Sequence, residues 1–239
     1  MKLSFPAAIV DRVVTKNPEL PPFVRQRIGA FDERRRSSWA GRHIMHGLAP
    51  AANALMLQIN DYLDLARHPT IVEAQRRTLA EAGNGMMMSA LFMQEVSPLR
   101  KLEADFATTL GYGAAVLSQS GYNANVGLVQ SIAGERTPVY IDMLAHASLW
   151  EGIKSSGAIA VPIFHNDPEH LERQLLRHGP GVVLVDSVYS SNGSVCPLET
   201  YANITRQHDC VFVVDESHSL GTHGARGEGR RFRACKAGK

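Results

Sequence analysis

The stretch VFVVDESHSLGTHGARGEG, Val211 to Gly229, decides how this chain is read. Four apolar residues lead into Asp215. Glu216, Ser217 and His218 follow at once, and then a loop with four glycines. A short apolar run closed by turn residues is the pattern of a strand buried on both faces. A carboxylate at the tip of such a strand costs free energy to desolvate unless a partner answers it.

Working backwards from this strand, apolar runs alternate with helical patterns as far as Ser97. Ser97-Pro98 predicts an N-cap with proline in the first turn. Leu99, Leu102, Phe106 and Leu110 then give one apolar face, which Gly111 ends. Strands are expected over 114–119, 139–142, 158–164, 181–187 and 210–215. Helices are expected over 123–132, 146–157, from Asp167-Pro168 to Gly179, and from Pro197 to Gln207. Nearer the start, 21–38 reads as a helix whose arginines form a solvated basic face. Residues 54–58 read as a short strand, and NDYLDLARHP (60–69) as a turn and helix start. Strands alternating with helices mean βαβ units, so the fold class is α/β, with a mostly parallel sheet covered by helices. Residues 1–60 read as an N-terminal arm, 61–229 as the sheet domain and 230–239 as a separate basic tail.

The totals narrow the function. With 239 residues and 44% apolar composition, the chain can build a sizeable core. Its formal net charge of +2 comes from RRFRACKAGK at 230–239; the remainder is net acidic, so nucleic acid is not a suggested partner. Three cysteines without metal spacing fit a reducing cytoplasm. MKLSFPAAIVDRVV lacks the apolar core of a secretion signal, and no apolar run approaches the roughly 18 residues of a membrane span. His43 and His46 lack a third ligand, so no metal is expected. No GK[ST] phosphate loop, GxSxG elbow or HExxH helix is present.

Parallel sheets place ligands at the carboxyl ends of their strands. Four polar clusters fall there. Ser120, Gly121 and Tyr122 follow the first strand, where open backbone N–H groups at a helix start suit a phosphate. His146 follows the second, Ser190 the strand of 181–187, and Asp215 and His218 the last. A protonated aromatic nitrogen, as in pyridoxal 5'-phosphate (PLP), would answer Asp215. Each cluster also has a plainer reading: a glycine turn, a capping or packed histidine, a turn serine, a strand-end cap.

Read together, QINDYLDLARHP (58–69), PLRKLEADFATTLGYGAAVLSQSGYNANVGL (98–128), YIDMLAHASLWEG (140–152), DSVYSSNGSVCPL (186–198) and VVDESHSLGTHGARGEG (213–229) resemble the α-oxoamine synthases. These are PLP-dependent enzymes of the aminotransferase-like fold type I. RHGPG (177–181), LSQSGYNANVGL, AHASLWEG and VDESHSLGTHG are similar to their quorum-sensing autoinducer synthase branch. The resemblance implies an acyltransferase that joins a fatty acyl-CoA to a small amino acid-type donor, releases CoA and makes an aminoketone. It implies a homodimer. It assigns Gly121 and Tyr122, beside Ser120, to the cofactor phosphate, His146 to stacking on the ring, Ser190 and His218 to the ring oxygen, and Asp215 to the ring nitrogen. His146, Asp215 and His218 are the catalytic candidates.

The pattern breaks after Gly229. The family's Schiff-base lysine motif is not found, and Lys236 follows Asp215 too closely, with no intervening strand to carry it. The large domain is expected to be incomplete, its sheet edge unpaired, and the chain inactive as it stands or a non-catalytic remnant. A synthase using glycine, alanine or serine is the other enzymatic reading.

Overall fold

The computed structural model describes residues 20–38, 53–54, 59–83, 89, 92, 95–225 and 227–230. Residues 1–59 form one compact unit and 60–239 another. In the first, helix α1 spans Pro22–Ser38. Its expected basic face is not wholly solvated. Arg35 is buried, with its guanidinium 2.6 Å from Asp32, which Arg36 also meets at 2.6 Å. Aspartate three and four residues before two arginines folds them back along the helix.

Among the described residues, the second unit opens with α2 (Pro69–Ala82), α3 (Pro98–Leu110) and α4 (Gly121–Ile132). Strand and helix then alternate: β1 (Pro138–Asp142), α5 (Ala147–Ser156), β2 (Ile159–Ile163), α6 (Pro168–His178), β3 (Val182–Asp186), α7 (Leu198–Gln207) and β4 (Val211–Asp215). The strands form one sheet in the order β2-β1-β3-β4, and every pairing is parallel. The caps act as the sequence implies. Ser97 accepts the N–H of Arg100, Asp167 accepts that of His170, and Gly111 closes α3 in the left-handed conformation, φ 69°.

Alternation along the strands divides the core into two layers. Tyr140, Val183 and Val185 point to one face, under Leu171 and Leu175 of α6 and Tyr201 and Ile204 of α7. Val139, Ile141, Val182 and Leu184 point to the other, under Val129 of α4 and Leu149 and Ile153 of α5. Helices α4 and α5 approach through Gly152, where an added Cβ would stand 2.9 Å from Cβ of Val129.

The strand expected over 114–119 does not form. Residues 114–118 run on without a ladder, and Val116 is exposed. A strand exists only where a neighbour offers a matching row of backbone groups. Here the Leu117 N–H turns instead to Oε1 of Glu103 in α3, at 2.9 Å. That buried carboxylate also holds Arg100 at 2.7 Å. The Leu117 amide, then Arg100, keep its carboxyl below the usual range. Of the strand expected over 54–58, all but Ala54 lies outside the described residues, as do His43, His46 and Lys236.

Candidate functional site

Three strands end in aspartate at the same edge of the sheet: β1 at Asp142, β3 at Asp186 and β4 at Asp215. Asp186 and Asp215 are paired positions of the parallel ladder. Their environments give them different tasks.

Asp142 is fully buried and structural. Its carboxylate accepts the Leu144 N–H at 2.9 Å and the Asn166 N–H at 2.9 Å, and it lies 2.9 Å from Nδ1 of His165. Nε2 of His165 meets Ser194 Oγ at 2.8 Å. One carboxylate thus ties together the loops that leave β1, β2 and β3.

Asp186 is buried and accepts the backbone N–H of His146 at 3.2 Å, which fixes where α5 begins. Burial pushes its carboxyl up to about 7, and the neighbouring charges of Asp215 and Asp142 push the same way.

Asp215 is half-buried, with one donor on each carboxylate oxygen. Oδ1 accepts the N–H of Ser217 at 2.9 Å, and Oδ2 accepts Nδ2 of Asn125 at 2.7 Å. The same Asn125 amide lies 2.9 Å from Ser148 Oγ, which in turn lies 2.7 Å from Nδ1 of His146. The Tyr122 ring stands edge-on to His146, centroids 6.3 Å apart. A continuous polar path therefore runs from His146 through Ser148 and Asn125 to Asp215, with the Tyr122 ring against its His146 end. The start of α5 supplies one end of it, Asn125 of α4 the middle and β4 the other end.

Helix α4 starts two residues earlier than the sequence pattern suggests, at Gly121, with Ser120 as its N-cap. Ser120 Oγ accepts the Asn123 N–H at 3.1 Å. The Gly121 and Tyr122 N–H groups fall in the first turn, where a helix offers no acceptor of its own. A Cβ on Gly121 would come 3.9 Å from Ser217 Oγ, so the helix start faces the turn after β4.

The sequence candidates therefore divide. Ser120, Gly121, Tyr122, His146 and Asp215 share one neighbourhood. His218 lies one turn beyond Asp215, and its Nδ1 is 2.6 Å from the hydroxyl of Tyr62. Ser190 stands exposed in the turn closed by the Gly193 N–H on the Tyr189 carbonyl, and no hydrogen bond of the path described here reaches it. Asn125, Ser148, Asp186 and Tyr62 escape the sequence reading. Asp186 carried a signal, since VVLVD repeats the apolar-run-then-Asp pattern of VFVVD.

Among the described residues, no group of three or more His, Cys, Asp or Glu could hold a metal ion, and no helix is long and apolar enough to cross a membrane.

Residues 52–234 match the family model described as aminotransferase class I and II. A CAI-1 autoinducer synthase of Vibrio campbellii is 43% identical over 215 residues, which cover 90% of this chain and 55% of that protein. An 8-amino-7-oxononanoate synthase of Methylobacterium nodulans is 37% identical over 169 residues, covering 69% of this chain and 45% of that protein. In structure, a serine palmitoyltransferase of S. paucimobilis, solved with bound PLP and myriocin, superposes with a TM-score of 0.74. It is 24% identical, covering 87% of this chain and 56% of the other, and the likeness establishes the fold. The chain spans about half the length of the relatives it matches.

Proposed function

The chain belongs to the aminotransferase class I and II family, and on that footing we propose that the carboxyl edge of its sheet holds PLP for acyl transfer. The residues fit that group. The first-turn N–H groups of Gly121 and Tyr122 suit the phosphate. Ser120 accepts a bond at its oxygen, so its own proton stays available to donate. His146 is exposed and steered by Ser148, as a ring that must lie flat on another ring requires. Asp215, oriented by one donor on each oxygen, is the group to hold the ring nitrogen protonated. Bound there, PLP supplies an electron sink for the carbanion formed at the α-carbon of an amino acid. His218 and Ser190 complete the set at the ring oxygen.

The reaction proposed is C-acyl transfer from a fatty acyl-CoA to a small amino acid-type donor, yielding an aminoketone. The 43% identity to an autoinducer synthase supports a quorum-sensing signal precursor as the product. The 37% identity to an 8-amino-7-oxononanoate synthase supports the second reading, a synthase for another aminoketone. Cytoplasmic residence and a homodimer belong to the same proposal. Among the described residues, the lysines Lys101 and Lys154 lie exposed on α3 and α5, and Lys154 is 3.9 Å from Glu151. In this proposal neither Lys101 nor Lys154 is the covalent anchor of the cofactor.

The path from His146 through Ser148 and Asn125 to Asp215 carries the proposal. Equilibrium dialysis of the purified chain against PLP tests it. Saturable binding is expected, weakened about tenfold or more by His146→Ala and by Asp215→Ala; no saturable binding overturns the reading. Borohydride reduction followed by peptide mapping is expected to leave Lys101 and Lys154 unmodified. PLP fixed on Lys236, and lost in Lys236→Ala, would contradict the expectation that Lys236 follows Asp215 too closely to serve as the anchor.

A further inference from the structure

Among the described residues, three buried polar side-chain atoms have no hydrogen-bonding partner: the hydroxyls of Tyr189 and Tyr201 and Oδ1 of Asn166. Both tyrosines are fully buried, in one core cluster with Cys196. The Tyr189 ring stands edge-on to His165, centroids 4.5 Å apart. The Tyr201 ring lies nearly parallel to that of Phe212 in β4, centroids 6.5 Å apart at 11°. Asn166 directly follows His165. Its backbone N–H reaches Asp142 at 2.9 Å, and its Nδ2 donates to the Val195 carbonyl at 3.1 Å. A carbonyl only accepts, so the amide cannot be turned over, and Oδ1 is an acceptor facing inward.

A buried polar atom left without a partner costs free energy, and in folded proteins such atoms are nearly always answered. These three share their neighbours. Burial, then the Cys196 thiol and the Asp142 carboxylate, push both hydroxyls above the ordinary phenol range. Tyr201 bears on Tyr189 in the same way, and the backbone of Asp167, next to Asn166, bears on Tyr201. Each phenol therefore keeps its proton and has it to give. Neither hydroxyl reaches Asp142 in hydrogen-bonding geometry, and that carboxylate is already met by the Leu144 and Asn166 N–H groups and by Nδ1 of His165. What remains is a neutral set of two O–H groups and one amide oxygen. Water matches it, accepting from the hydroxyls and donating to the amide. A cation does not, because the nearby carboxylate is already paired.

We infer that a buried water site lies between Tyr189, Tyr201 and Asn166, where one ordered water joins both hydroxyls to Oδ1 of Asn166. That water ties together the loop after β2, the turn after β3 and helix α7, beside the carboxylate at the end of β1. Neither the cofactor nor the reaction enters into it.

The test is a double-mutant cycle of Tyr189→Phe and Tyr201→Phe in the whole chain, read as urea midpoints. Removing a hydroxyl that has no partner relieves a cost, so the midpoint would rise. Removing one that holds the water strands the groups on its far side, so each single variant is expected to have a lowered midpoint. The double variant is expected to lose clearly less than the two single losses together, because both hydroxyls hold one water. A raised or unchanged midpoint in either single variant overturns the inference. Additive losses overturn the shared water and give the two hydroxyls separate partners. Crystallography of the wild-type chain, which needs no variant to fold, gives the second measurement. Ordered water is expected within about 3 Å of all three atoms. Direct packing of the three groups, with no solvent density between them, overturns the site.

Discussion

Asn125 and Asp215 are ninety residues apart in sequence and meet at 2.7 Å, Nδ2 to Oδ2. Helix α4 packs on α5 closely enough for the same amide to reach Ser148. The contact fixes the plane of the Asp215 carboxylate and links it to the support of His146. Asn125→Ala removes a donor from a charge-bearing group, a loss of about 1–3 kcal/mol in a half-buried setting. The expected outcome is a PLP affinity reduced roughly tenfold, with the thermal midpoint lowered by several degrees. Unchanged affinity would show that the aspartate is oriented without this amide.

This contact also marks the limit of what the chain's pattern discloses. Strands β1, β3 and β4 were legible because each is an unbroken apolar run closed by Asp, and a sheet covered on both faces demands such runs. Helices α3 and α6 were legible from Ser97-Pro98 and Asp167-Pro168. The run at 114–119 has the same local character, but nothing local reports whether a neighbouring strand exists. Glu103, a charged residue of α3, is the buried group that captures Leu117. Asn125 and Tyr62 were hidden for a related reason. Each matters through a partner far away in sequence, which no spacing rule can locate.

Asp186 makes stability depend on pH. Its carboxyl is raised from an ordinary value near 3.8 to about 7 by burial. A raised acid binds its proton more tightly in the folded state than in the unfolded one. Its contribution is fully present below about pH 4 and is lost as the pH rises to about 7. The slope approaches at most about 1.4 kcal/mol per pH unit, the limit for one proton. Asp186→Asn keeps an acceptor for the His146 N–H without the ionisation. The variant should gain thermal midpoint relative to wild type as the pH rises from 4 to 8, with the gap closing at low pH. A gap independent of pH would contradict this assignment.

Gly181 enters β3 alongside the start of β1. A Cβ there would stand 2.1 Å from the Pro138 carbonyl oxygen and 3.2 Å from Cε2 of Tyr140. Backbone on one side and a buried ring on the other leave nowhere to yield. Gly181→Ala is expected to cost about 1–3 kcal/mol, the range for overpacking, read as a lowered urea midpoint at constant slope. Wild-type stability in this variant would mean that β1 and β3 are spaced more widely than the structure shows.

The central claim is that Asp215 faces the protonated nitrogen of a bound PLP ring. The most direct measurement is the 15N shift of ring-labelled PLP bound to this chain near pH 8. The account predicts a pyridinium signal in wild type and a neutral pyridine signal in Asp215→Asn. A neutral ring nitrogen in wild type, or a protonated one in both proteins, would contradict it.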